Sequence, residues 1–225
     1  MTASNPHVEP NPADNHWITP GNWIRFDGST PGRPTATSRV ELNRGANYPV
    51  LIDEGSAAFA ARLFIGSYGG GTGYFEGDEL DMTGGTLTVR STGDSSSKLT
   101  IGAGPFSADQ LGIFKMSGGT INIEKNLEIG NYVATGTATL SGGVITAAGL
   151  AMTANGLLNI TGTGKVVLLG DQTLLANGYI GSGWILGTAQ YMTSGDYAGK
   201  TLITPEPATL ALLGMGLVTL LRRKG

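Results

Sequence analysis

The sequence predicts an all-β protein, read as a right-handed parallel β-helix or solenoid with a short capping helix and a C-terminal hydrophobic helix. Three observations predict it. The first is composition: 37 of 225 residues are glycine and only 14% are charged, against usual shares of roughly 7% and 25%. Glycine inside a helix costs about 1 kcal/mol relative to alanine, so this chain suits short strands and tight corners. The second is a repeat. Met82-Thr83-Gly84-Gly85-Thr86-Leu87, Met116-Ser117-Gly118-Gly119-Thr120-Ile121 and Leu140-Ser141-Gly142-Gly143-Val144-Ile145 share one pattern, and Ile160-Thr161-Gly162-Thr163-Gly164 is a worn fourth copy. The third is period-two alternation, as in Leu87-Thr88-Val89 and Ile121-Asn122-Ile123, which puts aliphatics on one strand face and Thr or Asn on the other.

The elements follow in chain order. Residues 1–39 form a polar leader and an N-terminal cap, with Trp17 and Trp23 flanking Ile18-Thr19-Pro20-Gly21-Asn22. The tryptophans are expected to cover the open end of the core; a sugar-stacking platform is the alternative. Val40-Glu41-Leu42 reads as the first strand. Residues 40–170 form the repeat body. A second pattern precedes the Gly-Gly copies: Leu63-Phe64-Ile65-Gly66, Leu99-Thr100-Ile101-Gly102, Leu127-Glu128-Ile129-Gly130 and, more loosely, Leu150-Ala151-Met152-Thr153. The Gly-Gly copies are spaced by 34, 24 and 20 residues. Length changes are therefore expected in outward loops such as 68–73 and 91–97. A two-strand unit with irregular insertions favours a solenoid. Gly-Gly is also a hairpin signal, which leaves an antiparallel β-sandwich as the alternative.

Residues 171–203 read as a C-terminal cap. Asp171 is placed to N-cap a helix through Asn177, and Asn177-Gly178 to stop it, with Ile180, Trp184, Ile185 and Leu186 closing the core.

Residues 204–225 carry the strongest signal. Pro205-Glu206-Pro207 cannot continue a strand ladder or sit inside a helix. An uncharged segment of 14 residues, Ala208 to Leu221, follows, and Arg222, Arg223 and Lys224 end the chain. As a helix, the segment spans roughly 21 Å at about 1.5 Å per residue, short of a hydrocarbon core of about 30 Å. Snorkelling of the basic cluster makes up part of the gap and keeps that end cytoplasmic. A buried C-terminal helix is the competing reading.

This order of parts resembles the PEP-CTERM sorting tail recognised by exosortases. The resemblance implies that Pro205, Glu206 and Pro207 are the recognition motif, Ala208 to Leu221 a transient inner-membrane anchor, and Arg222 to Lys224 a basic stop signal. It also implies export, processing near the motif by an exosortase, and delivery to the cell surface. Such proteins begin with a signal peptide, whereas Met1 to Pro10 has no basic or apolar stretch; the reading expects an incomplete start. The body is similar, more loosely, to surface-sorted proteins with such tails and β-helical bodies, through its early Trp pair, its Gly-Gly-Thr repeats and Gly170-Asp171-Gln172 before the Tyr-Ile and Trp-Ile stretch.

Chemistry is sparse. The absence of cysteine excludes disulfides, Cys-based zinc sites and a Cys nucleophile. A net charge of -3 without a basic face gives no reason to expect nucleic acid. No cofactor and no metal site is expected: His7 and His16 read as an exposed pair, and Glu76-Gly77-Asp78-Glu79-Leu80-Asp81 as a solvated loop, with Ca²⁺ binding as the lesser reading. Gly69-Gly70-Gly71-Thr72-Gly73 lacks the lysine and helix of a phosphate loop. Lys115, Glu124, Lys125 and Glu128 read as outward, solvated charges. The expectation is a non-catalytic surface or extracellular-matrix protein whose partners are an exosortase, the inner membrane and exopolysaccharide. A carbohydrate- or calcium-binding module and a divergent polysaccharide-active β-helix are the alternatives.

Overall fold

The computed structural model describes residues 6–8, 16–19, 23–25, 32–42, 49–66, 78–90, 97–104 and 110–207, of which 6–8 and 23–25 as backbone only. Two short strands precede the expected first one. β1 (Pro6–Val8) and β2 (Trp23–Arg25) pair antiparallel, and β1 runs parallel to β3 (Arg39–Leu42). Their pairing rests on backbone hydrogen bonds, which apolar periodicity does not report.

The chain then repeats a cycle. The first cycle holds β4 (Val50–Ile52), β5 (Ala57–Ala60) and β6 (Arg62–Ile65). The second holds β7 (Asp78–Met82), β8 (Thr86–Val89) and β9 (Lys98–Ile101). In the next two, the last pair of strands becomes one longer strand. β10 (Leu111–Met116) precedes β11 (Thr120–Ile129), and β12 (Thr135–Leu140) precedes β13 (Val144–Met152). β14 (Gly156–Ile160) and β15 (Lys165–Leu169) begin a fifth, and α1 (Thr173–Gly181) follows them. β16 (Ile185–Leu186), β17 (Thr188–Met192) and β18 (Lys200–Thr204) end the described chain.

Equivalent strands of successive cycles pair in parallel. One sheet runs β16-β14-β12-β10-β7-β4; the other collects the remaining strands. The fold is therefore mostly β, built from parallel sheets. The strands on either side of each Gly-Gly lie in different sheets, β7 and β8 for the first copy, β10 and β11 for the second, β12 and β13 for the third. The Gly-Gly pairs are corners between sheets and not hairpins, which removes the antiparallel alternative for the body. Antiparallel pairing among the described strands is confined to the ends, at β1–β2 and where β18 joins β15 and β17.

Alternation fixes what lies inside. Leu63, Leu99, Leu127 and Leu150 occupy one register across four strands, and Ile65, Ile101, Ile129 and Met152 the next inward one. Leu87, Ile121, Ile145 and Val166 form a third row. All twelve are buried. Each contributes about 1.5–3 kcal/mol on leaving water. Leu80, Phe114, Ala138 and Leu158 stack likewise, the large Phe114 lying beside the small Ala138. Trp17 is 1% exposed and joins this core. Its backbone N–H donates to Leu51 O of β4, and its buried ring presents no stacking platform. The side chain of Trp23 lies outside the described residues.

At the corners the ladder continues through the glycines. Thr120 N–H donates to Gly85 O at 3.0 Å, and Val144 N–H to Gly119 O at 3.1 Å. Gly119 has φ +83°, and a Cβ there would lie 2.4 Å from Gly84 O. Both its left-handed backbone and the close passage of the neighbouring corner require glycine.

The far end departs from expectation in detail. The helix begins one residue later, with Gln172 at the N-cap position, and runs past Asn177-Gly178 to Gly181. Asp171 still accepts a hydrogen bond from Thr173 N–H at 3.1 Å. The stop is Gly183, at φ +75°. Gly183 N–H donates to Ile180 O, and Trp184 N–H to Tyr179 O. The Tyr179 and Trp184 rings stack at 5.6 Å, completing a Schellman cap with its hydrophobic contact. Ile185 is buried and Ile180 and Trp184 pack on the core, whereas Leu186 is 45% exposed. Leu186 alternates with Ile185 on a strand, so it points outward. Gln172 clamps this end: its side-chain amide donates to Ala148 O at 2.6 Å and Leu169 O at 2.8 Å.

Candidate functional site

The first candidate is the segment that leaves the body after β18. That strand is held on both sides, antiparallel to β15 and to β17. Thr204 and Thr188 approach at 3.3 Å between their Oγ1 atoms. Pro205 then lacks the N–H that would extend the ladder. Pro205 is half-buried, and Glu206 and Pro207 are exposed. The three residues therefore stand at the surface, tethered directly to an ordered sheet. Ala208 to Leu221, Arg222, Arg223 and Lys224 lie outside the described residues. Among the described residues, no helix is long and apolar enough to cross a membrane.

The second candidate lies on the outer face of the sheet that contains β7, β10 and β12. Asp78 to Asp81, expected in a loop, are strand β7, because Leu80 and Met82 must alternate into the core. Glu76 and Gly77 lie outside the described residues. Asp78 is buried, while Glu79 and Asp81 share the opposite face. Register places Lys115 beside Asp81 on one side and Leu51 on the other. Lys115 Nζ donates to Glu79 Oε1, the two side chains being 56% and 19% exposed. That hydrogen bond raises the Lys115 pKa. The Asp81 carboxyl is pushed up to about 6, first by desolvation, then by the hydrogen bond and repulsion of Glu79, against the pull of Lys115. A cavity of about 280 Å³ opens here, lined by Asp81, Lys115, Ser117, Thr139 and Ser141 and by the apolar Met82 and Met116. Asp81 Oδ1 is buried without a hydrogen-bond partner.

The remaining charges separate into roles. Lys115 is 56% exposed, an outward charge as expected, and also lines that cavity. Glu128, by contrast, is not a free outward charge: it accepts from Lys98 Nζ at 2.8 Å, Asn131 Nδ2 at 2.9 Å and Thr100 Oγ1 at 3.2 Å. Its neighbours β9 and β13 half-cover it, and the network compensates the lost water. Glu124 is exposed and accepts from Ser97 Oγ at 3.0 Å. Lys125 is exposed as expected. His16 pairs with Asp53 at 3.2 Å, and the side chain of His7 lies outside the described residues. No group of three or more His, Asp or Glu able to hold a metal ion occurs among the described residues. Sequence reasoning missed the Asp81–Lys115 pairing and the Gln172 clamp. The four-residue offset of each from its repeat glycine, at Gly85 and Gly119, was the one available signal for the former.

Comparison with known families finds the PEP-CTERM protein-sorting motif at residues 204–224. No curated protein and no solved structure matches the chain.

Proposed function

We propose that this PEP-CTERM protein is a non-catalytic structural component of the cell surface or extracellular matrix, placed beside exopolysaccharide. The motif itself indicates an exported, membrane-processed protein sorted with an exosortase-type partner. The observation that carries the reading is the position of that motif. It follows β18 without a linker, so Glu206 is exposed while the strand before it is paired on both sides. Processing there would release the body whole.

The body is read as a solenoid. Its parallel rows of identical register, closed by Trp17 at one end and α1 at the other, support a rigid rod whose outer surface is rich in Thr, Ser and Asn. The hydrophobic segment Ala208 to Leu221 is read as the transient anchor, with Arg222, Arg223 and Lys224 on its cytoplasmic side.

The test is the fate of the tail in a host that carries an exosortase. The gene is expressed with its upstream coding sequence, cells are fractionated, and the C-terminus is followed by intact mass. Wild type is expected to lose its apolar tail and leave the inner membrane, and Glu206→Ala to remain anchored and full length. Identical cytoplasmic, full-length protein in both strains would refute the sorting reading for this body.

A further inference from the structure

The cavity over β7, β10 and β12 is lined by none of the residues of the sorting motif. A buried carboxylate oxygen without a partner is destabilising, yet Asp81 Oδ1 is in that state at the lining of a cavity. Nothing in the strand pattern demands an acid here, because outward positions on this sheet also accept threonine, as at Thr139.

The lining specifies the chemistry of an occupant. Lys115 is already paired with Glu79 and lies within the cavity wall, so a bare cation meets a positive charge. Two carboxyls against one ammonium disfavour an anion. What remains is a neutral group that both donates and accepts hydrogen bonds. Asp81, Lys115 and Thr139 stand side by side on consecutive strands, about 4.7–4.9 Å apart. Ser117 and Ser141 follow the next inward residue on two of those strands. The donors and acceptors thus form two rows crossing the strands, a spacing suited to every second hydroxyl of a ring rather than to adjacent ones. A volume of about 280 Å³ lies at the small end of ligand pockets, roughly 300–1,000 Å³, which limits the occupant to one or two small rings.

We infer that this cavity is a binding site for a neutral, polyhydroxylated ligand of the sugar class, with a ligand hydroxyl donating to Asp81 Oδ1 and others meeting Lys115, Thr139 and Ser141. It stands on the body alone, so it survives or fails independently of tail processing.

The experiment titrates the ¹⁵N-labelled full chain, held in detergent micelles, with cellobiose as a neutral sugar probe. Amide shifts are expected at residues 81–83, 115–117 and 139–141. Asp81→Ala and Thr139→Val are expected to weaken the apparent Kd by about tenfold each, as the loss of one well-placed hydrogen bond gives, with far-UV circular dichroism unchanged. If Asp81→Ala fails to fold, Thr139→Val carries the test alone. Absence of shifts at these amides up to the solubility of the probe overturns the inference. So do shifts at the same amides with calcium chloride but not with cellobiose, which would assign a cation site.

Discussion

Asp81 shows how a single residue takes its properties from its strand neighbours. Leu51 on one flank removes water, Glu79 two positions earlier repels its charge, and Lys115 only partly offsets both. Its pKa of about 6 in the folded protein exceeds the value near 3.9 expected in the unfolded chain. The folded state therefore holds a proton that the unfolded state has released between pH about 4 and about 6. Stability should fall as pH rises through that window. Asp81→Asn should remove this fall and leave the protein more stable than wild type at pH 7, measured as Tm against pH. Parallel Tm curves for the two proteins would show that the carboxyl is not desolvated. None of this was legible locally. Asp81 looked like one of four acids in a loop, and its partner lies 34 residues away.

Among elements, the corners and the cap both rely on left-handed glycine, but with different surroundings. At Gly119 a Cβ would strike the Gly84 carbonyl at 2.4 Å; at Gly183 it would meet nothing within 4 Å. Gly183→Ala should therefore cost only the left-handed penalty, about 1–2 kcal/mol. Gly119→Ala should cost clearly more, since backbone of the adjacent corner must also shift. Denaturant midpoints of the two variants decide it, and equal costs would mean that the corners are loosely stacked. The Gly-Gly corners were visible in sequence because they recur before the same β-branched or Thr position. Gly183 was not, because Asn177-Gly178 offered an earlier stop signal. The helix passes through it, held by Gln172 below and by the stacked Tyr179 and Trp184 above.

At the scale of the whole molecule, equivalent strands touch the strands before and after them, so stability is expected to add up over neighbouring cycles. Ile145, fully buried between Ile121 and Val166, sits in the middle of one inward row. Ile145→Ala should cost about 2–5 kcal/mol in a denaturant titration. Hydrogen exchange should rise most in β11, β13 and β15 and least in β3 and β6. A uniform rise would indicate one indivisible cooperative unit instead.

The sequence by itself determined the β character, the inward rows and the sorting motif, because alternation, repeated Gly-Gly and Pro-Glu-Pro act over a few residues. The reading of Ala208 to Leu221 as an anchor rests on the sequence alone. Tertiary structure decided whether Gly-Gly turned the chain into a hairpin or a corner, since that depends on which strand supplies the next hydrogen bond. It also decided that Glu128 is networked, that Leu186 faces out, and that Asp81 meets Lys115. Insertions of unequal length separate these partners in the chain, and only the parallel register brings them into contact.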